Sequence, residues 1–359
     1  MGNDSVTLAA VGDIMLGDRP LMVGFGVRSC IEASDSYDPF EGVRDFLNTH
    51  DLVFGNLESI ISDCDLEEEN YRSIQMRGPC KSIELISKSG FNLLSVANNH
   101  MMQHGVGGFN ETVHLLKENE IEPLGSINQK GKVLAVFKEV KGRKFGFMGF
   151  SLRPERYAFE APYARYEFDE ILQEVRDIKD KCDFLIVSLH WGDEYISRPS
   201  HKQIRQARLL ADEGASLIVG HHPHVVQGVE RYNNSVIAYS LGNFIFDVRQ
   251  KRLRQTVILV VEFKGKNEIE FKRIPACMDT MFRPHIQYGN EAEIIHLEFA
   301  KLDSMIHRSH FGSMYRYSVK LHEIRNKIEN RILFLKQLKA YKPWVLRQSL
   351  FNFMEDRIK

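Results

Sequence analysis

Long hydrophobic runs are missing from this 359-residue sequence. No apolar stretch approaches the roughly 18 residues that a membrane-spanning helix needs. Residues 1–10 also have no basic segment and no long apolar segment, so they do not resemble a secretion signal. We expect a cytoplasmic protein without a transmembrane segment, and peripheral contact with the inner face of the membrane stays open as an alternative.

Cysteine is scarce, and neither sign of charge dominates. The five cysteines are scattered and never form a CxxC pair, which argues against a disulfide framework and against a thiolate zinc site. Lysine and arginine number 47 against 48 aspartates and glutamates. This balance argues against a dedicated nucleic-acid binder, whose domain is usually strongly basic.

Short apolar runs are present instead, and most of them end in a small or turn-forming residue followed by polar groups. Each is long enough for one strand, and near-continuous apolar runs are typical of strands covered on both faces. The predicted strands are Val6 to Val11, Leu52 to Phe54, Leu93 to Ala97, Phe184 to Leu189, Leu217 to Val219 and Val236 to Leu241.

Helical patterns lie between these strands, and strand–helix alternation indicates an α/β sheet. Further along, Thr256 to Phe263 and Glu268 to Ile274 resemble consecutive strands of an antiparallel hairpin, so we expect the sheets to be mixed. The predicted helices are Pro79 to Ser89, Gly108 to Asn119, Asp169 to Lys181 and Gln203 to Glu213.

The last part of the chain changes character, and we divide the chain into a domain of residues 1–300 and a largely helical extension of residues 301–359. The extension has 13 lysines and arginines against 5 acidic residues. Apolar residues from Leu321 to Leu338 follow steps of three and four, which predicts a helix with one apolar face. We expect this face to pack on the chain's own core; a second subunit or a membrane surface is the alternative.

Polar residues that could bind a metal ion or take part in catalysis lie just beyond the apolar runs. In an open α/β sheet, side chains beyond the carboxyl ends of strands share one crevice. Each residue alone has an ordinary structural explanation as a turn former, a helix cap or a buried histidine, but the set as a whole does not. Its members are Asp13, Asn56, Glu58, Asn99, His100, His190, His222 and His224.

His222 and His224 are the most informative pair. On an extended segment their rings would lie on the same side, and Pro223 disfavours a helix between them. Imidazole and carboxylate ligands without thiolates suit a catalytic divalent metal such as zinc, manganese or iron. His100 would stay off the metal and donate a proton. His221 would orient a neighbouring ligand, with direct metal contact as the less favoured alternative.

Several motifs occur in the order typical of one family, and the sequence resembles the CapA family of capsule or poly-γ-glutamate synthesis proteins. That family belongs to the calcineurin-like metallophosphoesterase superfamily, and the resemblance spans about residues 6–250. The motifs are Gly12-Asp13-Ile14-Met15, Asn56-Leu57-Glu58, Ala97-Asn98-Asn99-His100, His190-Trp191-Gly192-Asp193-Glu194-Tyr195, Gly220-His221-His222-Pro223-His224 and Tyr239-Ser240-Leu241-Gly242-Asn243-Phe244.

The resemblance implies a four-layer α/β/β/α sandwich with two mixed sheets and a site for one or two divalent metal ions at one edge. It implies His100 as the acid that protonates the leaving group, and it leaves Glu58 or Asn56 as the acidic position of the second motif. We assign Asn56 and His221 to the support of the ligands. The implied metal ligands are Asp13, Glu58, Asn99, His190, His222 and His224.

Three departures from the superfamily pattern bear on activity. Met15 stands where the first motif usually has a histidine, and Asn56 stands where the second usually has a bridging aspartate. These two changes are shared by CapA-like sequences. Gln103 replaces an aspartate that many relatives carry after the Asn-Asn-His motif. Together they bring two-metal occupancy and ordinary phosphoesterase activity into question.

Two functions follow. The first is a metal-dependent hydrolase acting on a phosphoester or an amide bond in capsule or exopolymer synthesis. The second is a non-catalytic, metal-clamped binding or assembly factor of a polymer-synthesis complex. The expected partners are an acidic polymer or capsule precursor and polymer-synthesis proteins, and no nucleic acid. One candidate substrate-binding residue is Arg77, for which a surface salt bridge is the equal alternative. The others, each of which could equally brace the sheet edge, are Trp191, Glu194, Tyr195 and Asn243.

Overall fold

The computed structural model describes residues 5–265, 268–307 and 312–348. In chain order the strands are β1 (Val6–Ile14), β2 (Leu52–Leu57), β3 (Ile60–Ile61), β4 (Arg77–Gly78), β5 (Leu93–Ser95), β6 (Glu122–Leu124), β7 (Val136–Val140), β8 (Arg143–Ser151), β9 (Phe184–His190), β10 (Leu217–His221), β11 (Val229–Tyr232), β12 (Ser235–Ala238), β13 (Asn243–Ile245), β14 (Gln255–Phe263), β15 (Ile269–Met278) and β16 (Pro284–Ile286).

Helices occupy most of the connections between strands. Two short 3₁₀ helices, Pro20–Met22 and Lys179–Lys181, accompany them. In chain order the α-helices are α1 (Val27–Ala33), α2 (Arg44–Leu47), α3 (Tyr71–Ile74), α4 (Ser82–Lys88), α5 (Gly105–Glu118), α6 (Phe168–Ile178), α7 (His201–Asp212), α8 (Lys251–Arg254), α9 (Gly289–Ile306) and α10 (Gly312–Gln337).

Two large mixed sheets form the centre of the molecule. The first has the strand order β16-β15-β14-β1-β2-β5-β6, with β13 paired to β1, and the second has the order β11-β12-β10-β9-β8-β7. Strands β1, β2, β5 and β13 run parallel in the first sheet, as do β8, β9, β10 and β12 in the second. Antiparallel strands lie at one edge of the first sheet and at both edges of the second.

Three apolar clusters separate four layers. Leu8 and Phe54 of the first sheet pack against Phe147 and Ile186 of the second. The outer face of the first sheet is covered by residues of α4 and α5, and that of the second by residues of α6 and α7. The predicted α/β/β/α sandwich is therefore confirmed.

The predicted elements are present, with ends that differ by a few residues. Each predicted strand coincides with one of β1, β2, β5, β9, β10 and β12, and the predicted hairpin is the antiparallel pair β14–β15. Helix α7 begins after Ser200, whose hydroxyl accepts from the backbone N–H of Gln203 (3.2 Å), and it is followed by Gly214 at φ +111°. The cap and the left-handed glycine explain why the helix ends where the sequence predicts.

Helix α9 closes one side of the sandwich. Phe299 is fully buried in the cluster between the sheets. Asp303 accepts two hydrogen bonds from the Arg273 guanidinium, both at 2.8 Å, and one from the backbone N–H of Val229 at 2.9 Å. The predicted domain boundary at residue 300 falls inside this helix, and the division into two domains stays a prediction; residues 349–359 of the extension lie outside the described residues.

Helix α10 runs over loops at one edge of the sandwich. Tyr315 donates to Asp193 (2.9 Å) after β9, Asn326 accepts from Arg252 (2.7 Å) in α8, and Tyr341, just beyond α10, donates to the Leu21 carbonyl (2.7 Å) after β1. Its apolar face does not pack on the core as expected: Leu321 and Ile328 are 47% and 51% exposed. That expectation is wrong because the side of the helix that meets the core carries Tyr315, Asn326 and Leu333 instead. Within the described ranges, no helix is both long and apolar enough to cross a membrane.

Candidate metal centre

The two sheets bring the predicted ligands to one edge. Asp13 is in register with Asn56 across β1 and β2, and His190 is in register with His221 across β9 and β10. The sheets meet where the backbone N–H of His222 donates to Oδ2 of Asp13 (3.2 Å). Residues about 200 positions apart therefore share one buried crevice, as expected for side chains beyond the carboxyl ends of strands.

Two motif glycines allow the backbones to come this close. A methyl group at Gly12 would overlap the Gly242 carbonyl, and one at Gly220 would overlap the Tyr239 carbonyl. Each glycine immediately precedes a polar residue of the crevice, Asp13 or His221. Only a residue without a Cβ lets these strand ends approach their neighbours.

The His-Pro-His segment is not extended, and that sequence-based premise is wrong. Strand β10 ends at His221, and His222 and His224 have φ values of +92° and +57°. Backbone bonds hold this left-handed turn, since Tyr195 N–H donates to the Pro223 carbonyl (2.7 Å). The two rings still lie together, with centroids 5.7 Å apart. Strained backbone of this kind clusters at functional sites.

Asp13 lies at the centre of the crevice and is fully buried. Its oxygens lie 3.4 Å from Nδ1 of His221 and 3.4 Å from Nδ1 of His224, and the Asn56 amide donates to it at 2.9 Å. Burial opposes ionisation, but the contacts with His221 and His224 outweigh it and hold the pKa of Asp13 well below its ordinary value. The carboxylate is therefore ready to bind a cation.

Glu58 is the second fully buried carboxyl group. Its Oε1 lies 3.5 Å from Nε2 of His224 and 3.9 Å from Nε2 of both His190 and His100. That oxygen finds no hydrogen-bond partner among the described residues. Burial, together with Asp13 and Glu194, raises the pKa of Glu58 well above its ordinary value. A cation at this point would reverse the shift, because it favours the charged carboxylate.

Asn99 and His190 meet across the two sheets. Nε2 of His190 lies 2.7 Å from the Asn99 amide oxygen. Asn56 lies beside them, with its amide nitrogen 3.4 Å from Nδ1 of His190 and its amide oxygen accepting from Asn98 (3.2 Å). Sequence reasoning missed Asn98 as the residue that fixes the Asn56 amide, although the Asn-Asn-His motif contains it. Burial lowers the pKa of His190 well below its ordinary value, so its ring is neutral as a ligand must be.

Both ring nitrogens of His222, and Nε2 of His221, have no hydrogen-bond partner in the described part of the chain. Both rings are buried, and the His222 ring lies 4.7 Å from that of His190. Burial lowers the pKa of His222 well below its ordinary value, and the His190 and His224 rings add to this effect. Buried polar atoms are normally satisfied. These orphaned nitrogens indicate that a ligand belongs here.

His224 is held by Asn243. Nδ1 of His224 lies 2.9 Å from the Asn243 amide oxygen, while the Asn243 amide nitrogen donates to the carbonyls of His224 (3.2 Å) and Leu253 (3.0 Å). The predicted substrate-binding residue Asn243 is thus fully buried and bonded to a predicted ligand. Burial disfavours the charged His224 ring, but Asp13 and Asn243 outweigh it and raise its pKa.

His100 lies at the rim of the crevice, with its side chain 21% exposed. Its Nδ1 lies 3.2 Å from the Gln103 amide oxygen. Gln103 therefore holds the ring by a hydrogen bond and carries no charge. Burial lowers the pKa of His100, although the Gln103 contact opposes this shift.

The other candidate substrate-binding residues divide into two groups. Glu194 is exposed, and Tyr195, whose ring lies 5.9 Å from that of His224, lines a groove of about 280 Å³ with Arg252 and His322. Trp191 is 1% exposed and donates to the Tyr239 carbonyl (3.1 Å), which favours its bracing alternative. Arg77 is buried on β4 and donates to the Cys64 carbonyl (2.7 Å). Their roles in substrate binding stay predictions.

Two residues next to the site were not assigned a role from the sequence. Arg252 was not considered there, and Met15 was noted only because it replaces a histidine. The Arg252 guanidinium lies 5.6 Å from the centre of the Tyr195 ring, and no motif marked it. Met15 is fully buried and packs with Met76, Val225 and Phe246. The position that the resemblance compared with a metal-binding histidine therefore belongs to an apolar cluster.

The donor set fits a divalent cation. One ligand atom each of Glu58, His222 and His224 lie within 4.8 Å of one another, and the same holds for Asp13, Glu58 and His190. Glu58 belongs to both groups, so the two groups adjoin. Nitrogen and oxygen donors without thiolate suit zinc, manganese or iron, and the unpartnered atoms of Glu58 and His222 supply the independent reason to expect an ion.

Comparisons with known proteins identify a family and two similar proteins. Residues 7–248 match the family "Bacterial capsule synthesis protein PGA_cap". "Capsule biosynthesis protein CapA" of Bacillus anthracis is 30% identical over 268 residues, which cover 72% of this chain and 64% of that protein. "PGA biosynthesis protein CapA" of Bacillus subtilis (strain 168) is 29% identical over 280 residues, covering 76% of this chain and 72% of that protein. The chain thus spans just under two thirds of the Bacillus anthracis relative.

Similarity to a solved structure supports the fold but says nothing about function. The "Putative 5'-Nucleotidase from Staphylococcus aureus in complex with alpha-ketoglutarate" superposes with a TM-score of 0.50 at 14% identity, covering 83% of this chain and 58% of the other. The sequence match extends over most of the sandwich and over all six predicted metal ligands. The chain belongs to the PGA_cap family of bacterial capsule synthesis proteins, the family that includes the CapA proteins.

Proposed function

We propose that this protein is a metal-dependent hydrolase that acts in the synthesis of a capsule or exopolymer of the poly-γ-glutamate kind. The observation that carries the proposal is the buried group of Asp13, Glu58, His190, His222 and His224, in which several donor atoms have no partner among the described residues. The capsule role rests on the family and on the names of the two CapA relatives. We place the work of the protein in the cytoplasm.

Asp13, Glu58, Asn99, His190, His222 and His224 would hold one or two ions of zinc, manganese or iron. Such an ion lowers the pKa of a bound water and polarises the oxygen of the bond to be broken. The chain itself holds the ligands in place: Asn56 donates to Asp13, and Asn243 fixes the ring of His224. Preorganised ligands of this kind cost no rearrangement when the substrate arrives.

His100 is the residue placed to move a proton. With Nδ1–H donating to Gln103, its Nε2 is the atom that would take up a proton and pass it to the leaving group. The ring lies at the rim, where a substrate can reach it. Glu194 and Tyr195 stand on the same side, and Arg252 supplies a positive charge beside Tyr195 that suits an acidic polymer or capsule precursor.

The test combines metal content with turnover. Purified protein is analysed for bound metals and assayed with a chromogenic phosphoester and with γ-glutamyl peptides in the presence of manganese. We expect His222→Ala to lose both metal and turnover, and His114→Ala, at an exposed position on α5, to lose neither. Turnover that survives His222→Ala at the wild-type rate contradicts the proposal.

A non-catalytic role is the second candidate, and Met15 favours it. The superfamily's usual histidine position is here part of the apolar cluster of Met15, Met76, Val225 and Phe246. A metal would then clamp the loops of a binding or assembly factor in a polymer-synthesis complex. Wild-type protein that retains its metal but turns over neither substrate class would support this candidate against the first.

A further inference from the structure

The exposed apolar residues of α10 form one narrow stripe. At 100° per residue they fall within an arc of about 80°, and each is between 46% and 64% exposed. The α10 stripe consists of Tyr317, Leu321, Ile324, Ile328, Ile332 and Leu335. A contiguous exposed apolar surface of this kind marks an interaction site.

The opposite side of α10 makes the contacts within the protein. Asn326 is 8% exposed and accepts from Arg252, and Glu329 lies 3.9 Å from the same guanidinium. Tyr315 donates to Asp193 on the loop after β9. The helix is therefore held by these polar contacts together with Leu333 and Phe334, which pack on apolar clusters of the protein. Among the described residues, the α10 stripe is left about half exposed.

Basic residues border the α10 stripe on both sides. On the helical projection, Lys320, Lys327 and Arg331 lie along one border and Arg325 and Lys336 along the other. The two acidic residues of α10 compensate for them only in part. Glu323 projects almost opposite the stripe, and Glu329 pairs with Arg325 (2.7 Å), so the borders keep a net positive charge.

We propose that the α10 stripe lies on an anionic lipid bilayer. Apolar side chains between basic borders are the pattern of helices that lie in the membrane interface, where lysine and arginine meet acidic headgroups. A second copy of the chain fits less well, because two such helices would bring basic borders together without acidic residues between them. An anionic membrane complements both the apolar stripe and its charge.

The same contact would orient the metal centre. Helix α10 and the residues just after it are bonded to the loops that follow β1 and β9 and to α8, and these elements surround the crevice. Arg252 connects Asn326 of α10 to the Tyr195 ring, which lies 5.9 Å from the ring of His224. Docking through α10 would place the crevice next to the membrane surface.

The experiment is flotation of the full-length protein with vesicles of phosphatidylcholine alone or of phosphatidylcholine mixed with phosphatidylglycerol. We expect the anionic vesicles to retain the protein and the phosphatidylcholine vesicles not to, and we expect the retained fraction to fall as the salt concentration is raised. The double variant Ile324→Glu/Ile328→Glu should reduce the retained fraction about tenfold. Both side chains are about half exposed, so the variant should fold, which circular dichroism checks.

A matched control comes from α9. Ile294→Glu/Leu297→Glu introduces the same charges at positions 58% and 73% exposed, and it should leave vesicle retention unchanged. Equal retention on both vesicle types, or no retention of the wild type, overturns the proposal. The proposal is also overturned if light scattering shows that the wild type is a dimer and the α10 variant a monomer, while vesicles retain neither protein. Metal content and turnover are not involved, so this test is independent of the proposed function.

Discussion

The amide oxygen of Asn243 lies 2.9 Å from Nδ1 of His224, and two backbone carbonyls accept from the amide nitrogen of Asn243. These bonds fix the orientation of the Asn243 amide, and Nε2 of His224 is directed at Glu58. We expect Asn243→Ala to weaken manganese binding at least about tenfold, since removal of a group that orients a metal-binding histidine usually costs this much. Isothermal titration calorimetry measures the affinity.

Asn110→Ala, at an exposed position on α5, is the control and should bind manganese as the wild type does. An Asn243→Ala protein with wild-type affinity would show that His224 keeps its orientation without the amide.

Gln103 holds the ring of His100 without a charge. Gln103→Glu keeps the length of the side chain and places a carboxylate about where the amide oxygen now lies, 3.2 Å from Nδ1. We expect the pKa of His100 to rise by roughly 1 unit or more, because an adjacent negative charge favours the protonated ring. Proton NMR of the imidazole as a function of pH measures the shift, and Gln129→Glu in the exposed loop after β6 is the control. An unchanged or lower pKa would contradict this role of Gln103.

Gly220 has no space for a side chain, because a methyl group there would overlap the Tyr239 carbonyl. Gly220→Ala must push β10 and β12 apart, which should lower the free energy of unfolding by about 2 kcal/mol. Manganese affinity should fall with it, since His221 and His222 follow directly. Urea unfolding measures the stability, and Gly107→Ala on α5, near only the flexible Cys64 side chain, should cost far less. Equal stability of the two variants would be inconsistent with the packing described.

Asp18 and Asp247 form a buried carboxyl pair outside the metal centre. Asp18 Oδ1 and Asp247 Oδ2 both lie where a methyl group on Gly26 would be. Burial and Asp247 raise the pKa of Asp18 from its ordinary 3.8 to about 7. At a pH between these two pKa values, Asp18 therefore keeps a proton in the folded protein that it has lost in the unfolded chain. The contribution of Asp18 to the free energy of unfolding is fully present below the lower pKa, and it is lost as the pH rises towards the upper pKa.

This contribution to the free energy of unfolding should fall by up to about 1.4 kcal/mol per pH unit between roughly pH 4 and pH 7. Asp18→Asn should flatten that slope, because the amide cannot titrate, and the exposed Asp180→Asn should not. Denaturant unfolding at several pH values measures the slope. A slope in Asp18→Asn as steep as that of the wild type would show that the pair does not hold the proton.

The sequence predicted the strands and the sandwich because buried parallel strands need near-continuous apolar runs, as Phe184 to Leu189 shows. The ligands were predictable because they follow those runs. The left-handed turn through His222 and His224 was not, since it depends on contacts with Asp13 and Tyr195, which are distant in sequence. The support of His224 by Asn243 could not be predicted either, because it depends on the pairing of β13 with β1, two strands that are distant in sequence.

Helix α10 shows a different limit of the sequence. Periodicity from Leu321 to Leu338 correctly predicted a helix with an apolar face, but it could not say which face meets the core. The outcome depends on polar partners such as Asn326 and Arg252, whose pairing leaves Leu321 and Ile328 exposed. Amphipathicity predicts that a surface will be covered and does not identify what covers it.

The distribution of the donors over the two sheets has a mechanical consequence. Asp13, Glu58 and Asn99 belong to the amino-terminal sheet and its loops, whereas His190, His222 and His224 come from the other sheet. An ion bound by both groups would add a cross-link between halves of the chain that already meet at this edge through hydrogen bonds, such as those of His222 N–H to Asp13 and of His190 to Asn99. Chelation would then loosen the seam between the sheets before it unfolds either one, and the ion would set how firmly the sandwich stays closed.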